Sequence, residues 1–291
     1  MSIVITGASG HLGRAVTEEA LRRVDPAELI LVTRTPDALA GYAARGAQVR
    51  HGDFDDATSL AVAFAGGRRL LLISTDAVGA RVQQHERAIA AAAAAGIELV
   101  AYTSIVNPVD ANPVGVVPDH KATEETLRGS GLDWALLRHS VYADFEADNL
   151  AAGAATGKLI TNAGSGRIAY VARADCAAAD AAVLVGGDHA GKVYDITGPA
   201  ALDAEARAAV FADLAGSPVE VVHVDDESFA TGLAQATGMP IEVARLYASF
   251  GQATREGHLD NVSNAVQSLT GRAPRSLHEV LAARDHEPAA S

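Results

Sequence analysis

Short apolar runs recur along the first half of the chain, and between them apolar residues return every three to four positions. The runs lie near Ile3–Thr6, Leu29–Thr33, Gln48–His51, Leu70–Ser74, Leu99–Thr103 and Trp134–Arg138. The helical period lies near His11–Arg23, Pro36–Ala44, Asp56–Phe64, Val78–Ala95 and Pro118–Gly129. Runs such as Leu29-Ile30-Leu31-Val32 and Leu70-Leu71-Leu72-Ile73 have no polar alternate. Both faces of such strands need covering, as in a parallel sheet between two layers of helices. The alternation of strand and helix predicts an α/β, Rossmann-type doubly wound parallel sheet with right-handed crossovers.

The rhythm changes after about Ser140. Gly153, Gly157, Gly164 and Gly166 break the chain into short pieces. A helix near Arg173–Val185, a strand at Lys192–Thr197, a helix near Asp203–Leu214 and a strand at Val219–Val224 follow, then mostly helical patterns. The expected division is a Rossmann-type domain over 1–140 and a smaller α/β C-terminal lobe over 141–285, with excursions back to the main sheet. A disordered tail is expected over 286–291. No internal repeat of solenoid period is visible.

The most informative local pattern is Ile3-Val4-Ile5-Thr6-Gly7-Ala8-Ser9-Gly10-His11-Leu12-Gly13. A strand stops at a glycine, two more glycines follow at three-residue spacing, and a helical period begins. Gly7 permits a tight turn, Gly10 lets a diphosphate approach the backbone, and Gly13 lets helix and sheet pack closely. The free N–H groups at the helix start then face the anion. Thr6, Gly7, Ser9, Gly10, His11, Leu12 and Gly13 are accordingly the expected cofactor cradle.

Arg34 follows the second strand, about 20 residues beyond the glycines, where an acid would select NAD and an arginine accommodates the 2′-phosphate of NADP, although Arg34 could also be a solvated surface residue. The segment Val32-Thr33-Arg34-Thr35-Pro36 holds no acid; Asp37 falls at a helix start, where capping accounts for it. The expected cofactor is NADP(H), with NAD(H) left open. Asp53 and Phe54, after the third strand, could meet the adenine, although Asp55 or Asp56 would cap the next helix in any case. Ser74 and Thr75 end the fourth strand, and Tyr102, Thr103 and Ser104 end the fifth. They should flank the ribose and nicotinamide, since ligands of open parallel sheets lie beyond the carboxyl ends of the strands.

Composition narrows the classes further. With 291 residues, 49% of them hydrophobic, the chain can bury a large core. A net charge of −13 disfavours nucleic acid and anionic membranes as partners. The single cysteine excludes an internal disulfide and a cysteine-based zinc cluster. The histidines show no metal-binding spacing, and no Gly-x-Ser-x-Gly elbow is present. No metal is expected. Cys176 and Trp134 read as core. The chain enters its first strand directly from Met1 with no basic leader, so a cytoplasmic protein is expected.

None of Tyr42, Tyr102, Tyr142, Tyr170, Tyr194 and Tyr247 is followed four residues later by lysine. The Tyr–Lys acid–base pair of ordinary short-chain dehydrogenases is therefore missing. In the equivalent helix, His120 and Glu124 share a face at i and i+4. His120 could face the nicotinamide or the substrate with Glu124 orienting it, or it could be structural.

Thr6–Gly13, Thr33-Arg34, Leu71-Leu72-Ile73-Ser74, Ala101-Tyr102-Thr103-Ser104, His120-x-x-x-Glu124 and Thr161-Asn162-Ala163-Gly164-Ser165-Gly166 together resemble the NmrA-like, atypical short-chain dehydrogenases. Within that group the chain is most similar to the type 2 NAD(P)H:quinone oxidoreductases and the triphenylmethane dye reductases. The resemblance implies an NADPH site on the glycine turn, Arg34, Ser74 and Tyr102–Ser104, a cleft between the two lobes, and a homodimer. It implies hydride transfer to quinones or similar flat aromatic acceptors. By their positions His120 and Tyr102 are the catalytic candidates, and Ile105, His120, Tyr142 and Phe145 lie on the substrate side, although Tyr142 and Phe145 could equally be core between the lobes. Quinones suit a site without the Tyr–Lys pair, because the reduced product is a stabilised oxyanion that a histidine or water can protonate. The alternative within the resemblance is a non-catalytic NADP(H)-sensing regulator.

Overall fold

The computed structural model describes residues 2–284, and the tail expected at 286–291 lies outside them. Nine strands are present among the described residues: β1 (Ile3–Ile5), β2 (Leu29–Thr33), β3 (Gln48–His51), β4 (Arg69–Leu72), β5 (Leu99–Ile105), β6 (Asp133–His139), β7 (Lys158–Thr161), β8 (Lys192–Ile196) and β9 (Glu220–His223). The helices are α1 (His11–Leu21), α2 (Ala40–Ala44), α3 (Ala57–Phe64), α4 (Arg81–Ala94), α5 (Val117–Gly129), α6 (Glu146–Thr156), α7 (Arg173–Val185), α8 (Ala204–Ala215), α9 (Asp226–Thr237), α10 (Ile241–Arg255), α11 (Ala265–Thr270) and α12 (Leu277–Arg284).

Seven strands form one sheet in the order β3-β2-β1-β4-β5-β6-β8, with every pairing parallel. The order reverses between β1 and β4, which opens a crevice at their carboxyl ends. Alternate residues face opposite layers, as the pleat demands. Ile3, Ile5, Leu29, Leu31 and Leu71 meet Val16 and Ala20 of α1 and Cys176, Ala177 and Ala181 of α7. Val4, Ile30, Leu70 and Leu72 meet Leu60 and Phe64 of α3 and Ala88 and Ala92 of α4. Full burial of each such leucine or isoleucine contributes about 1.5–3 kcal/mol, so the run of apolar strand positions fixes both layers at once.

After β6 the chain leaves the main sheet as α6 and β7, returns as α7 and β8, and leaves again. The outer part is a two-stranded parallel sheet of β7 and β9. Its own apolar cluster includes Leu159, Phe211, Ala253 and Leu281. The Thr161–Gly166 motif is the joint between β7 and α10: Asn162 donates to Asp226 and to the Ala248 carbonyl. A Cβ on Gly166 would overlap the Thr254 carbonyl.

Several element ends differ from the periodicity for local reasons. β4 stops at Leu72 because the next N–H groups turn to side chains, Ile73 to Thr6 Oγ1 and Ser74 to Thr103 Oγ1. Gly79, at φ +86°, delays the start of α4 to Arg81. The stretch Pro36–Leu39 is a 3-10 turn ahead of α2, and Asp37 sits in its first turn rather than at the cap. Cys176 is core, but Trp134 is only half-buried and lies under the Arg128 guanidinium, 5.2 Å from the ring centroid. Among the described residues no helix is long and apolar enough to cross a membrane, and no His/Cys/Asp/Glu group could hold a metal ion.

Arg69 joins the sheet to the carboxyl end of α7: its Nη1 donates to the Val183 and Gly186 carbonyls at 3.0 and 3.2 Å, and its Nη2 to Gly187 at 3.1 Å. A cation there also meets the negative end of the helix dipole. Arg69→Ala is expected to lower stability by about 1–3 kcal/mol, read as a lower urea midpoint at unchanged slope. An unchanged midpoint would show that water replaces the guanidinium at no cost.

Candidate functional site

The site begins where α1 is forced against the end of β1. Gly7 has φ +59°, which an L side chain rarely adopts. A Cβ on Gly13 would overlap the Gly7 carbonyl and lie 2.7 Å from Ala8 Cα. Gly10, the N-cap, offers no side-chain acceptor to the first turn. The N–H groups of His11, Leu12 and Gly13 therefore have no intrahelical partner and are free to meet an anion. A diphosphate fits this cradle; the side chains of the same stretch are mostly engaged elsewhere. Thr6 Oγ1 donates to Leu71 O and accepts from the Ile73 N–H, so this buried hydroxyl is a strut between β1 and β4. Leu12 is only 9% exposed and belongs to the core. His11 is exposed. Ser9 Oγ meets Thr33 Oγ1 at 2.8 Å, fastening the turn to the end of β2.

Arg34 is exposed at that strand end and has no polar partner among the described residues. Arg14, which the sequence reading missed, braces the same corner by donating to Ser9 O and Ala38 O at 3.0 and 2.8 Å. Its only sequence signal is its place directly after Gly13. Asp53 forms a local turn, with Oδ1 accepting from the Asp55 N–H. Asp56 caps α3 by accepting from Thr58 N. The ring of Phe54 stands edge-on to His85, centroids 6.2 Å apart.

Beyond β4 the polar groups form a connected layer. The Thr75 N–H donates to His85 Nε2 at 3.1 Å, so that nitrogen is unprotonated and Nδ1–H faces Thr123 Oγ1 at 3.0 Å. The Thr123 hydroxyl in turn donates to Asp119 O. Burial first, and the nearby Arg81 cation second, push His85 down to about 3. Thr75 Oγ1 donates to Gln84.

His120, 7% exposed in the first turn of α5, lies between Tyr102 and Arg81. Its Nδ1 is 2.8 Å from the Tyr102 hydroxyl, and its Nε2 is 3.5 Å from Arg81 Nη1. An arginine can only donate, so Nε2 is the unprotonated nitrogen and Nδ1–H faces the phenol. Burial, followed by the charge of Arg81, holds His120 well below the ordinary histidine value. Burial also pushes the Tyr102 phenol up.

Two expectations are corrected by this geometry. Tyr102 is 0% exposed and its hydroxyl meets the His120 ring, so none of its atoms lies open at the crevice. Glu124 does not orient His120. Its carboxylate accepts from Ser104 Oγ at 2.7 Å and from Arg138 at 2.8 and 2.6 Å, with Arg128 at 3.2 Å. The i, i+4 spacing holds, but a carboxylate 1% exposed goes to the cations within reach rather than to a neutral imidazole. Thr103 and Ser104 are buried and spend their hydroxyls on Ser74 N and Glu124. Ile105 is 8% exposed and packs in the outer apolar cluster, so little of its side chain remains for a ligand.

Past β6, Tyr142 and Phe145 form an aromatic shelf, centroids 5.7 Å apart. The Arg173 guanidinium lies 5.3 and 5.5 Å from their ring centroids. Phe145 is 57% exposed. The Tyr142 hydroxyl is tied to His139 Nδ1 at 2.9 Å, and His139 Nε2 to the buried Asp180 at 2.9 Å. Any contact with a flat ligand is thus through ring faces and edges.

Residues 7–185 match the model of a family described as NAD(P)H-binding. Quinone oxidoreductase 2 of Escherichia coli (strain K12) is 35% identical over 277 residues, covering 95% of this chain and 96% of that protein. The crystal structure of an NADPH-dependent quinone oxidoreductase from Escherichia coli complexed with NADPH superposes with a TM-score of 0.94 at 34% identity, covering 98% of this chain and 100% of that one. Triphenylmethane reductase from Citrobacter sp., described for bioremediation of triphenylmethane dyes, superposes with a TM-score of 0.90 at 30% identity, covering 97% and 98%.

The buried imidazoles give a pH signature. Above the ordinary histidine value of 6.5, folded and unfolded chains both hold His85 neutral. As the pH falls below 6.5 only the unfolded chain takes up the proton, until the folded value near 3 is reached. Stability should therefore fall by up to about 1.4 kcal/mol per pH unit from this group, and His120 adds in the same direction. Urea unfolding at pH 7 and pH 5 should show a smaller acid loss in His85→Gln than in the unchanged protein. Equal losses would place a charged imidazole in the folded state.

Proposed function

The chain belongs to the NAD(P)H-binding family, and from that premise we propose that it is an NADPH-dependent reductase passing hydride to quinones or similar flat aromatic acceptors. The observation that carries this reading is the continuous strip along the carboxyl edge of the sheet. The end of β1 is tied to the segment after β4 through Thr6 and Ile73, that segment is tied to β5 through Ser74 and Thr103, and Thr75 leads through Arg81 to a neutral His120. The close overlap with an NADPH-bound quinone oxidoreductase over nearly the whole chain supports it.

Bound in the strip, NADPH supplies the hydride. In this reading the amides of α1 hold the diphosphate, and the missing side chain of Gly10 lets it come close. Arg34 reaches the 2′-phosphate, Asp53 and Phe54 lie by the adenine, and Ser74 and Thr75 line the ribose and nicotinamide. His120, kept neutral, spends its one N–H on Tyr102 and turns its bare Nε2 to Arg81, so it holds that guanidinium in place and does not deliver a proton as an imidazolium. Water supplies the proton, which a stabilised aryloxide product permits. Tyr142 and Phe145 offer the flat surface for the acceptor. The first domain, 1–140, holds the cofactor and the lobe over 141–285 covers the substrate. The reading places the protein in the cytoplasm, as a homodimer, acting on a small molecule. A net charge of −13 supports the absence of nucleic-acid and anionic-membrane partners.

Three measurements test this. Adding a small benzoquinone should start NADPH oxidation; tight cofactor binding with no turnover across quinones and dyes would overturn the reductase in favour of a sensor. Arg34→Ala should weaken NADPH by about 1–3 kcal/mol while leaving NADH nearly unchanged by calorimetry; equal losses would remove the 2′-phosphate role. His120→Ala should lower kcat with cofactor affinity retained, and an unchanged kcat would reduce His120 to packing.

A further inference from the structure

Arg81 is 6% exposed and opens α4. Its Nε donates to the Thr75 carbonyl at 2.6 Å, and its Nη1 lies 3.5 Å from His120 Nε2. Both partners are uncharged. No carboxylate lies within 4.0 Å of it among the described residues, and its Nη2 has no protein partner there. The other buried arginine, Arg207, 7% exposed, pairs with Glu146. Glu124, one turn along α5 from His120, is already matched by Arg138 and Arg128.

A buried cation without a counter-ion costs several kcal/mol. The position adds to the cost, because the first turn of a helix carries the positive end of its dipole and favours acids. The Thr75 carbonyl takes one of the five guanidinium donors, and Nη2 is left without a protein partner. The unspent donors lie beside His120 at the carboxyl edge of the sheet, where the acceptor binds in the reading given above.

We propose that Arg81 selects the acceptor class: it receives the oxygen of a neutral carbonyl acceptor that becomes an aryloxide, and it turns away acceptors that are themselves cations. This rests on the reductase reading of the same site. In quinone reduction the C4–H bond of the dihydronicotinamide breaks with its electron pair and hydride adds to the quinone. The two electrons settle on a ring oxygen as the hydroquinone monoanion, NADPH is oxidised to NADP+, and a proton from water completes the hydroquinone. Negative charge grows on oxygen as the reaction proceeds, so a fixed cation binds the transition state more tightly than the ground state. A triphenylmethane dye begins as a carbocation and ends neutral. Hydride transfer to it develops no anion, and the fixed cation opposes its entry.

The test compares the unchanged protein with Arg81→Met and Arg81→Lys, with Arg81→Gln serving if the Met variant does not fold. The first readout needs no turnover: 4-nitrophenolate, an aryloxide, is titrated into the NADP+-loaded protein and followed by its visible absorption. The unchanged protein and Arg81→Lys should bind it, and Arg81→Met should bind it roughly 10–100-fold more weakly, the loss of one charge-assisted hydrogen bond. The second readout is the ratio of kcat/KM for benzoquinone to that for a cationic triphenylmethane dye, which should fall by at least about tenfold in Arg81→Met. NADPH affinity should stay within about twofold. An NADPH affinity that falls in parallel, with nitrophenolate binding and the ratio unmoved, would assign Arg81 to the cofactor and overturn the proposal. Absence of all turnover alongside Arg81-dependent nitrophenolate binding would sink the reductase reading while keeping Arg81 as the aryloxide site.

Discussion

The close approach of α1 to the end of β1 governs everything downstream of it. Gly13 lies so near the Gly7 carbonyl that no side chain fits between them. That contact fixes the axis of α1, and so the direction in which its unpaired amides point. The helix is held from behind by Val16 and Ala20 packing on the sheet and on α7. Sheet burial and anion recognition are thus one constraint seen from two sides. The same leucine and isoleucine positions that bury the sheet set the depth of the cradle, and Thr6, with both hydrogen-bonding functions used on β4, keeps the two strands flanking the crevice in register.

Behind that cradle the protein keeps its polar groups neutral or matched. His85 and His120 are each hydrogen-bonded on both nitrogens and pushed down by burial. Tyr102 is pushed up, also by burial. Glu124 meets two arginines. A low-dielectric layer strengthens whatever charge remains in it, and the charge that remains is Arg81. A neutral His120 beside a cation differs in kind from a Tyr–Lys pair. The lysine of that pair exists to make a phenol acidic, whereas here the phenol is buried and the cation has no counter-ion among the described residues. The arrangement suits a reaction whose difficulty lies in stabilising charge on oxygen rather than in delivering a proton.

The fold was largely legible from the sequence because its signals are local and repeated. β2, β3 and α7 begin and end where the apolar pattern places them, and a glycine turn between a strand and a helix reads directly as a phosphate cradle. The side-chain pairings were not legible. The reach from Arg81 to His120 spans 39 positions and that from Thr6 to Ile73 spans 67, and no period encodes either. Helical spacing correctly put His120 and Glu124 on one face, yet it could not say that β6 presents Arg138 to the carboxylate first. Arg81 did carry a faint signal, since a basic residue opening a helix runs against the dipole. That mismatch acquires meaning only once burial is known.

An acidic protein that binds an anionic cofactor and stabilises an anionic product needs fields that act over a few ångströms. The net charge of −13 works against any phosphate approaching from a distance. At ordinary ionic strength that repulsion fades within roughly 8–10 Å, whereas backbone amides and a buried guanidinium act at hydrogen-bond range and are hardly screened. The positive features at the carboxyl edge are accordingly of two kinds. Arg34 is exposed and open to screening, so its contribution should weaken with salt. The α1 amides and Arg81 are set in the fold, so theirs should not. Selection between phosphorylated and unphosphorylated cofactors would then be the salt-sensitive part of recognition, and stabilisation of the reduced acceptor the salt-resistant part. This division follows from where each cation sits relative to the surface, and it gives the two kinds of discrimination separate physical origins within one crevice.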